Sequence, residues 1–255
     1  MRVPAISVVM SVYNGQRYLA SAIESVLAQT FGDFEFLILD AGSTDNSAPI
    51  INEYAQKDAR VRFITRENKG LITSLNELIA LSRAPLIARM DADDLCLPER
   101  LSRQFDFLAE NTEYGVIGTW THGIDPNGAP FDSGAAKEHA CTHEDFLIAI
   151  ENGWPLLCHP TVMMRRDVLA SVGGYHRAFR YCEDYDLWLR LASVTRLASI
   201  PERLLQYRFN DDQVSRRHAV EQRIGAAVSY LAYQERQAGR PDPTEGLDSL
   251  PAIAD

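Results

Sequence analysis

Four short apolar runs, Ile6 to Val12, Phe34 to Leu39, Val61 to Thr65 and Leu86 to Met90, constrain the fold of this chain most. Between them, apolar residues recur at helical spacing: Leu19, Ala22, Ile23, Val26 and Leu27, then Ile50, Ile51 and Tyr54, then Leu71, Leu75, Leu78 and Ile79. A strand with little polar alternation is covered on both faces, as in parallel sheets. Alternation with helices of roughly 10–15 residues predicts repeated βαβ units around a mostly parallel sheet. In such sheets ligands bind in the crevice beyond the carboxyl ends of the strands. Tyr13-Asn14, Asp40, Arg66 and Asp91 to Asp94 all fall at those ends, so loops distant in sequence converge on one rim.

At 255 residues the chain suits one large α/β domain. Its apolar fraction of 46% is ordinary for a soluble protein, and no apolar run approaches the roughly 18 residues of a membrane span. Met1-Arg2-Val3-Pro4 runs straight into the first strand, unlike a signal peptide. Cys96, Cys141, Cys158 and Cys182 show neither a zinc pattern nor a disulfide framework, which fits a reducing cytoplasm. A net charge of −10 argues against a nucleic-acid partner held by a basic surface. A nucleotide ligand stays compatible, because a metal and a few arginines can neutralise a diphosphate.

After about residue 115 the rhythm changes. Val116 to Trp120 reads as a strand, Asn127-Gly128 as a hairpin turn, Glu144 to Ile150 as a helix and Val162 to Met164 as a core strand. Glu183-Asp184-Tyr185-Asp186 opens an amphipathic helix, Leu187 to Ala192. From about Gly239 the sequence predicts a loosely ordered tail.

Asp91-Ala92-Asp93-Asp94 places three carboxylates directly after a buried strand. That many anions there are costly unless a cation or strong donors offset them. Hard divalent ions suit oxygen ligands and usually bind through one or two carboxylates plus substrate phosphates. The alternative is a set of solvated acids capping the helix that Pro98 opens.

Taken in order, Ser7-Val8-Val9-Met10-Ser11-Val12-Tyr13-Asn14-Gly15, Ser25-Val26-Leu27-Ala28-Gln29-Thr30, Asp40-Ala41-Gly42-Ser43-Thr44-Asp45, Asp91-Ala92-Asp93-Asp94 and Glu183-Asp184-Tyr185-Asp186-Leu187-Trp188 resemble the motifs of family 2 glycosyltransferases. The resemblance covers roughly residues 4 to 215. It implies a GT-A fold: an α/β architecture with a Rossmann-like, mostly parallel central sheet flanked by helices and an acceptor-side α+β portion. It also implies a division within one domain, with residues 1–114 holding a nucleotide sugar, 115–238 holding the acceptor and catalytic groups, and 239–255 as the tail.

The resemblance assigns roles residue by residue. Asp40 accepts from the nucleotide base, commonly uracil; it is otherwise an Asx turn before Gly42. Ala41 stands where the family more often has a second acid. Ser11 and Tyr13 frame base and ribose, or Tyr13 caps the core. Arg66 contacts the nucleotide, or is an exposed arginine on a charged loop. Asp91 touches the ribose or base edge, Asp93 binds the metal (Mn²⁺ or Mg²⁺), and Asp94 supports the cluster or caps a helix.

By the same resemblance Asp184 matches the catalytic base, with Glu183 in support; the alternative is that both simply favour the positive end of a helix. That helix end would in either case hold the Asp184 pKa low until an acceptor desolvates it. Asp186 pairs locally. Trp154 and His159 border the acceptor region or belong to the core. Arg208 contacts diphosphate or makes a structural pair. Asn210 stands where many relatives carry a histidine, so either Asp211 substitutes or the metal has one protein ligand fewer.

The resulting expectation is an inverting, metal-dependent transfer of a sugar, UDP-linked first of all, to a glycan or lipid-linked hydroxyl. It would take place in the cytoplasm and is compatible with peripheral attachment at the inner face of the membrane. The rivals are a sugar-nucleotide nucleotidyltransferase, for which the expected Gly-rich basic loop after the first strand is missing, and a non-catalytic nucleotide- or glycan-binding module. Donor sugar, acceptor, linkage and oligomeric state are not encoded in these motifs.

Overall fold

The computed structural model describes residues 2–131, 138–210 and 217–250. Its centre is an eight-stranded sheet in the order β3-β2-β1-β4-β7-β6-β8-β5. β1 (Ile6–Val12), β2 (Phe34–Asp40), β3 (Val61–Thr65) and β4 (Leu86–Arg89) are mutually parallel, as the apolar runs predict. In β1 and β2, Val8, Met10, Phe36 and Ile38 enter one core, while Val9, Leu37 and Leu39 enter the other. Burial on both faces explains why these strands read as continuous apolar runs. The exception, Glu35, is satisfied: Ser7 Oγ donates to it at 2.7 Å, the Arg83 backbone at 2.8 Å and Arg62 at 2.7 Å.

Helices cover both faces. α1 (Leu19–Leu27), α2 (Ser47–Lys57) and α4 (Arg100–Glu110) close the first core. α3 (Leu71–Leu81), α5 (His143–Glu151), α6 (Arg166–Ser171) and α7 (Glu183–Leu191) close the second. α8 (Ala219–Gln237) packs on α7, with Gly225 against Cys182.

The sheet continues without a break into the second half. β7 (Met163–Arg165) runs antiparallel between β4 and β6 (Tyr114–Ile124). β6 is longer than the predicted Val116 to Trp120 and pairs in parallel with β8 (Arg196–Arg208), a strand the sequence did not announce. Exposed Pro201 and half-buried Glu202 interrupt the apolar pattern of β8, and its register shifts on either side of Trp120. β5 (Leu95–Cys96) closes the far edge against β8.

At Asn127-Gly128 the chain turns as expected: Gly128 has φ +86° and its N–H donates to the Asp125 carbonyl at 3.0 Å. Among the described residues the return makes one isolated bridge, Ile124 to Pro130. In the tail, Thr244 is buried and Arg236 pairs with Asp242; residues 251–255 lie outside the described residues. Among the described residues, no helix is long and apolar enough to cross a membrane.

Candidate active site

β4 delivers the acidic stretch to the rim. The Arg89 N–H donates to the Val162 carbonyl and the Met90 N–H to the Val9 carbonyl, each at 3.0 Å, and the chain then leaves the sheet. Carboxylate oxygens of Asp91, Asp93 and Asp94 lie within 4.8 Å of one another. Beneath them Arg89, 4% exposed, donates from Nη1 to Asp91 Oδ2 at 2.5 Å. Asp94 is 1% exposed; its Oδ1 accepts the Arg208 N–H at 2.8 Å, while its Oδ2 has no hydrogen-bond partner. Asn210 Nδ2 donates to Asp93 Oδ2 at 3.2 Å.

The electrostatics show that the buried guanidiniums of Arg89 and Arg208 do not offset three acids. Burial, then the charge on Asp91, pushes the Asp93 carboxyl up to about 6. Burial and the charges of Asp91 and Asp93 push Asp94 well above the carboxylate range. An oxygen-only donor set with an orphaned buried carboxylate oxygen fits a hard divalent cation. The capping alternative does not hold: α4 starts at Arg100, its N-cap is Glu99, and no side chain caps it.

The sheet register sets the residues expected to meet a nucleotide. Ser11 pairs with Leu39, and Asp40 lies between Val12 and Thr65. Asp40 is 2% exposed and accepts the Ser43 N–H at 3.2 Å, so the Asx turn is present. Gly42 follows at φ +72°, where a Cβ would press on the Arg66 carbonyl at 3.1 Å. Ala41 is buried. Tyr13 is 54% exposed at the lip.

Arg66 is not the freely exposed arginine offered as its alternative: its guanidinium pairs with Glu77 on α3, and Nε and Nη2 are buried without hydrogen-bond partners. The loops after β1 and β2 are laced together. Thr44 N–H donates to Asn14 Oδ1 at 2.8 Å, Asn14 N–H to Ser43 Oγ at 2.9 Å, Gly15 N–H to Ser47 Oγ at 2.9 Å and Gln16 N–H to Asp45 Oδ2 at 3.1 Å.

Glu183 and Asp184 open α7, whose N-cap is Cys182. The positive helix end was expected to hold the Asp184 pKa low. The opposite is found, because burial outweighs both the helix end and the Tyr185 N–H that donates to Asp184 Oδ1 at 2.8 Å. Burial, then the charge of Asp184, pushes Glu183 up to about 7. Arg89 pulls both acids down, as it does Asp93 and Asp94, so one buried guanidinium stands between two groups of acids. Asp186 pairs locally, accepting from Arg190 Nε at 2.8 Å.

The remaining candidates separate. His159 is turned into the core: its Nε2 and the Tyr175 hydroxyl share a hydrogen bond of 2.7 Å, and its ring packs against Trp188. Burial, then Arg89's charge, lowers its pKa well below the usual histidine range, leaving it neutral. Trp154 is 56% exposed just beyond α5, so the two do not share a surface.

Arg208 ties three segments together. Its Nε donates to the Asp93 carbonyl at 2.7 Å, its Nη1 to the Asp125 carbonyl at 3.0 Å, and its guanidinium carbon lies 4.3 Å from the Tyr18 ring centre. Asp211 lies outside the described residues. Sequence reasoning missed Arg89 and the Arg208 backbone amide, and placed Asn14 on the rim without its loop-lacing role. The signal for Arg89 was a charge at the end of an otherwise apolar strand.

With this geometry in place, comparison with known proteins is informative. Residues 7–173 match the family model described as Glycosyl transferase family 2. The chain is 33% identical over 210 residues to the O-antigen biosynthesis glycosyltransferase WbnJ of Escherichia coli, covering 81% of this chain and 80% of WbnJ. Two solved structures share the fold. One is S. aureus TarS 1–349 in complex with UDP-GlcNAc, with a TM-score of 0.68, 18% identity and coverage of 91% of this chain and 72% of that one. The other is the mannosyltransferase PcManGT of Pyrobaculum calidifontis in complex with GDP-Man and Mn²⁺, with a TM-score of 0.68, 17% identity and coverage of 96% and 68%. The shared architecture is the GT-A fold.

Proposed function

This chain belongs to glycosyltransferase family 2, and from that premise we propose that it is an inverting, metal-dependent enzyme acting on a nucleotide sugar. The donor is a UDP-sugar, and the acceptor is a hydroxyl of a glycan or lipid-linked saccharide. One observation carries this reading: two groups of acids, Asp91 to Asp94 and Glu183-Asp184, both lie within electrostatic reach of one buried arginine, Arg89. That TarS is described with UDP-GlcNAc, and PcManGT with GDP-Man and Mn²⁺, supports it.

Residues 1–114 hold the donor and residues 115–238 the acceptor. Asp40 accepts the uracil N3–H, Tyr13 offers a stacking face, Ser11 borders the ribose, and Asp91 meets the ribose or base edge. Arg66 needs only a shift of its pairing with Glu77 to meet the nucleotide. Asp93, backed by Asp94 and Asn210, would hold Mn²⁺ or Mg²⁺. When bound, such an ion supplies Lewis-acid stabilisation of the charge on the departing diphosphate. Arg208 holds the backbone of Asp93 in place and lies beside the diphosphate side. Trp154 offers an aromatic face for an acceptor sugar.

Asp184 removes the acceptor hydroxyl proton on the face opposite the leaving group, as inversion requires. Its desolvation raises its basicity towards that task. Glu183, whose raised pKa leaves a substantial part of it protonated at neutral pH, donates a hydrogen bond in that form to the acceptor or to Asp184. The work is placed in the cytoplasm, with a lipid-linked acceptor presented at the inner face of a membrane.

The test is thermal stabilisation by a panel of UDP- and GDP-sugars with and without Mn²⁺. The expected result is stabilisation by a UDP-sugar that needs Mn²⁺ and disappears in Asp93→Ala. Mn²⁺-independent binding, or unchanged UDP binding in Asp93→Ala, removes the metal assignment. Binding without turnover of any donor favours a non-catalytic module.

A further inference from the structure

Among the described residues, two that are not glycine have positive φ: Asn14 at 53° and Tyr181 at 69°. Asparagine visits the left-handed region readily, but a bulky aromatic there is a true outlier. Tyr181 is the third residue of a turn closed by the Cys182 N–H donating to the Phe179 carbonyl at 3.0 Å. Type II turns require positive φ at that position and ordinarily carry glycine or asparagine there. Glycine would serve the backbone better, so the reason for tyrosine must lie in its side chain.

The Tyr181 ring stacks on the His218 imidazole with centroids 3.8 Å apart and planes 8° from parallel. The Arg180 guanidinium lies 4.6 Å from the same ring centre. His218 is the N-cap residue of α8 and pairs with Glu221 at 3.2 Å. Just beyond the turn, Cys182 lies against Gly225 of α8 so closely that a Cβ on the glycine would stand 2.9 Å from Cys182 Cβ. The start of α7 is therefore held to α8 at two adjacent residues, and Glu183 and Asp184 follow at once.

We infer that Tyr181 is a positioning residue whose strained turn, held by its ring on His218, sets where Glu183 and Asp184 stand in the crevice. The inference rests on the assignment of Asp184 as base. A left-handed tyrosine and an aromatic stack are comparable in energy with opposite signs, so the turn keeps its shape only while the stack is made. Without the ring the turn relaxes towards negative φ and carries the first turn of α7 with it. Displacing a catalytic group by about 1 Å can cost on the order of a hundredfold in rate.

The experiment measures Mn²⁺-dependent hydrolysis of whichever of UDP-glucose, UDP-galactose, UDP-GlcNAc and GDP-mannose the wild type turns over, with UDP affinity and Tm measured alongside. Tyr181→Ala and His218→Ala are expected to lose about tenfold or more in kcat. Donor KM, UDP affinity and Tm should stay close to wild type, and Tyr181→Phe and His218→Phe should restore turnover. Retained kcat in both alanine variants overturns the inference. So does a loss shared by kcat, UDP affinity and Tm, or failure of the phenylalanine variants to rescue. If Tyr181→Ala does not fold, His218→Ala decides. Asp184→Asn separates the two readings: if it is inactive while the alanine variants are normal, only the inference falls, and if it is active, both fall.

Discussion

The Arg89 guanidinium and the Asp91 carboxylate meet at 2.5 Å where β4 ends, and Arg89 is all but sealed from solvent. The same guanidinium lowers the pKa of Asp93, Asp94, Glu183 and Asp184. A cation on β4 thus belongs electrostatically to both groups of acids.

Replacing it should be costly. Arg89→Leu leaves Asp91 unpaired and removes the charge that offsets the other acids. The expected loss is on the order of 2–3 kcal/mol, below the cost of breaking a fully buried pair because Asp91 is one third exposed. Urea denaturation without divalent ions measures it. Mn²⁺ should recover part of the loss, and a variant as stable as the wild type contradicts the role given to Arg89.

Glu183 makes stability depend on pH. Its carboxyl stands at about 7 in the fold against an ordinary 4.5, so the native state holds a proton that the unfolded chain gives up earlier. The stabilisation is complete below pH 4.5 and is lost as the pH rises through 7, to an extent of about 3 kcal/mol. Glu183→Gln, which cannot ionise, should flatten the stability profile between those pH values. An unchanged slope contradicts the burial argument.

Asp40 is buried at the end of β2, accepts the Ser43 N–H and is proposed to meet the nucleotide base. Asp40→Ala should weaken UDP binding by about 1.5–3 kcal/mol, the worth of a hydrogen bond to a charged group. Calorimetric titration with UDP in Mn²⁺ measures this. Equal affinity would leave Asp40 with its turn alone.

Asn210 meets Asp93 through its amide nitrogen, the wrong end for a cation. Asn210→His places a neutral imidazole beside the acids and should tighten Mn²⁺ binding, read by calorimetry in the absence of nucleotide. Affinity equal to or weaker than wild type argues that this position lies outside the coordination sphere.

Much of the fold was legible because burial on both faces leaves an unmistakable record. Val9, Leu37 and Leu39 serve one core and Val8, Met10, Phe36 and Ile38 the other, so β1 and β2 read as apolar runs with few polar residues, Glu35 among them. β8 escaped notice because Pro201 and Glu202 break its pattern at the bulge. α8 escaped because its apolar residues are diluted and two of them, Val220 and Leu231, face solvent.

The acids of the site were legible as residue types, since three carboxylates after an apolar strand demand an explanation. Their electrostatics were not. The low pKa expected for Asp184 came from its helix end, a local feature, while the raised value comes from burial by elements distant in sequence. Arg89 shows in sequence only as a charge ending an apolar strand, and its link to Glu183 and Asp184 arises only through folding.

The central claim is that the acids of β4 bind the donor while the acids of α7 move the proton. It is tested most directly by measuring turnover and UDP affinity together in Asp184→Asn. The substitution keeps the shape of the side chain and an oxygen for the Tyr185 N–H. Mn²⁺-dependent turnover should fall by about 10²–10⁴-fold, the usual share of a general base, with the Kd for UDP unchanged. Turnover at the wild-type rate, or loss of UDP binding along with activity, would contradict the division of labour between the two groups of acids.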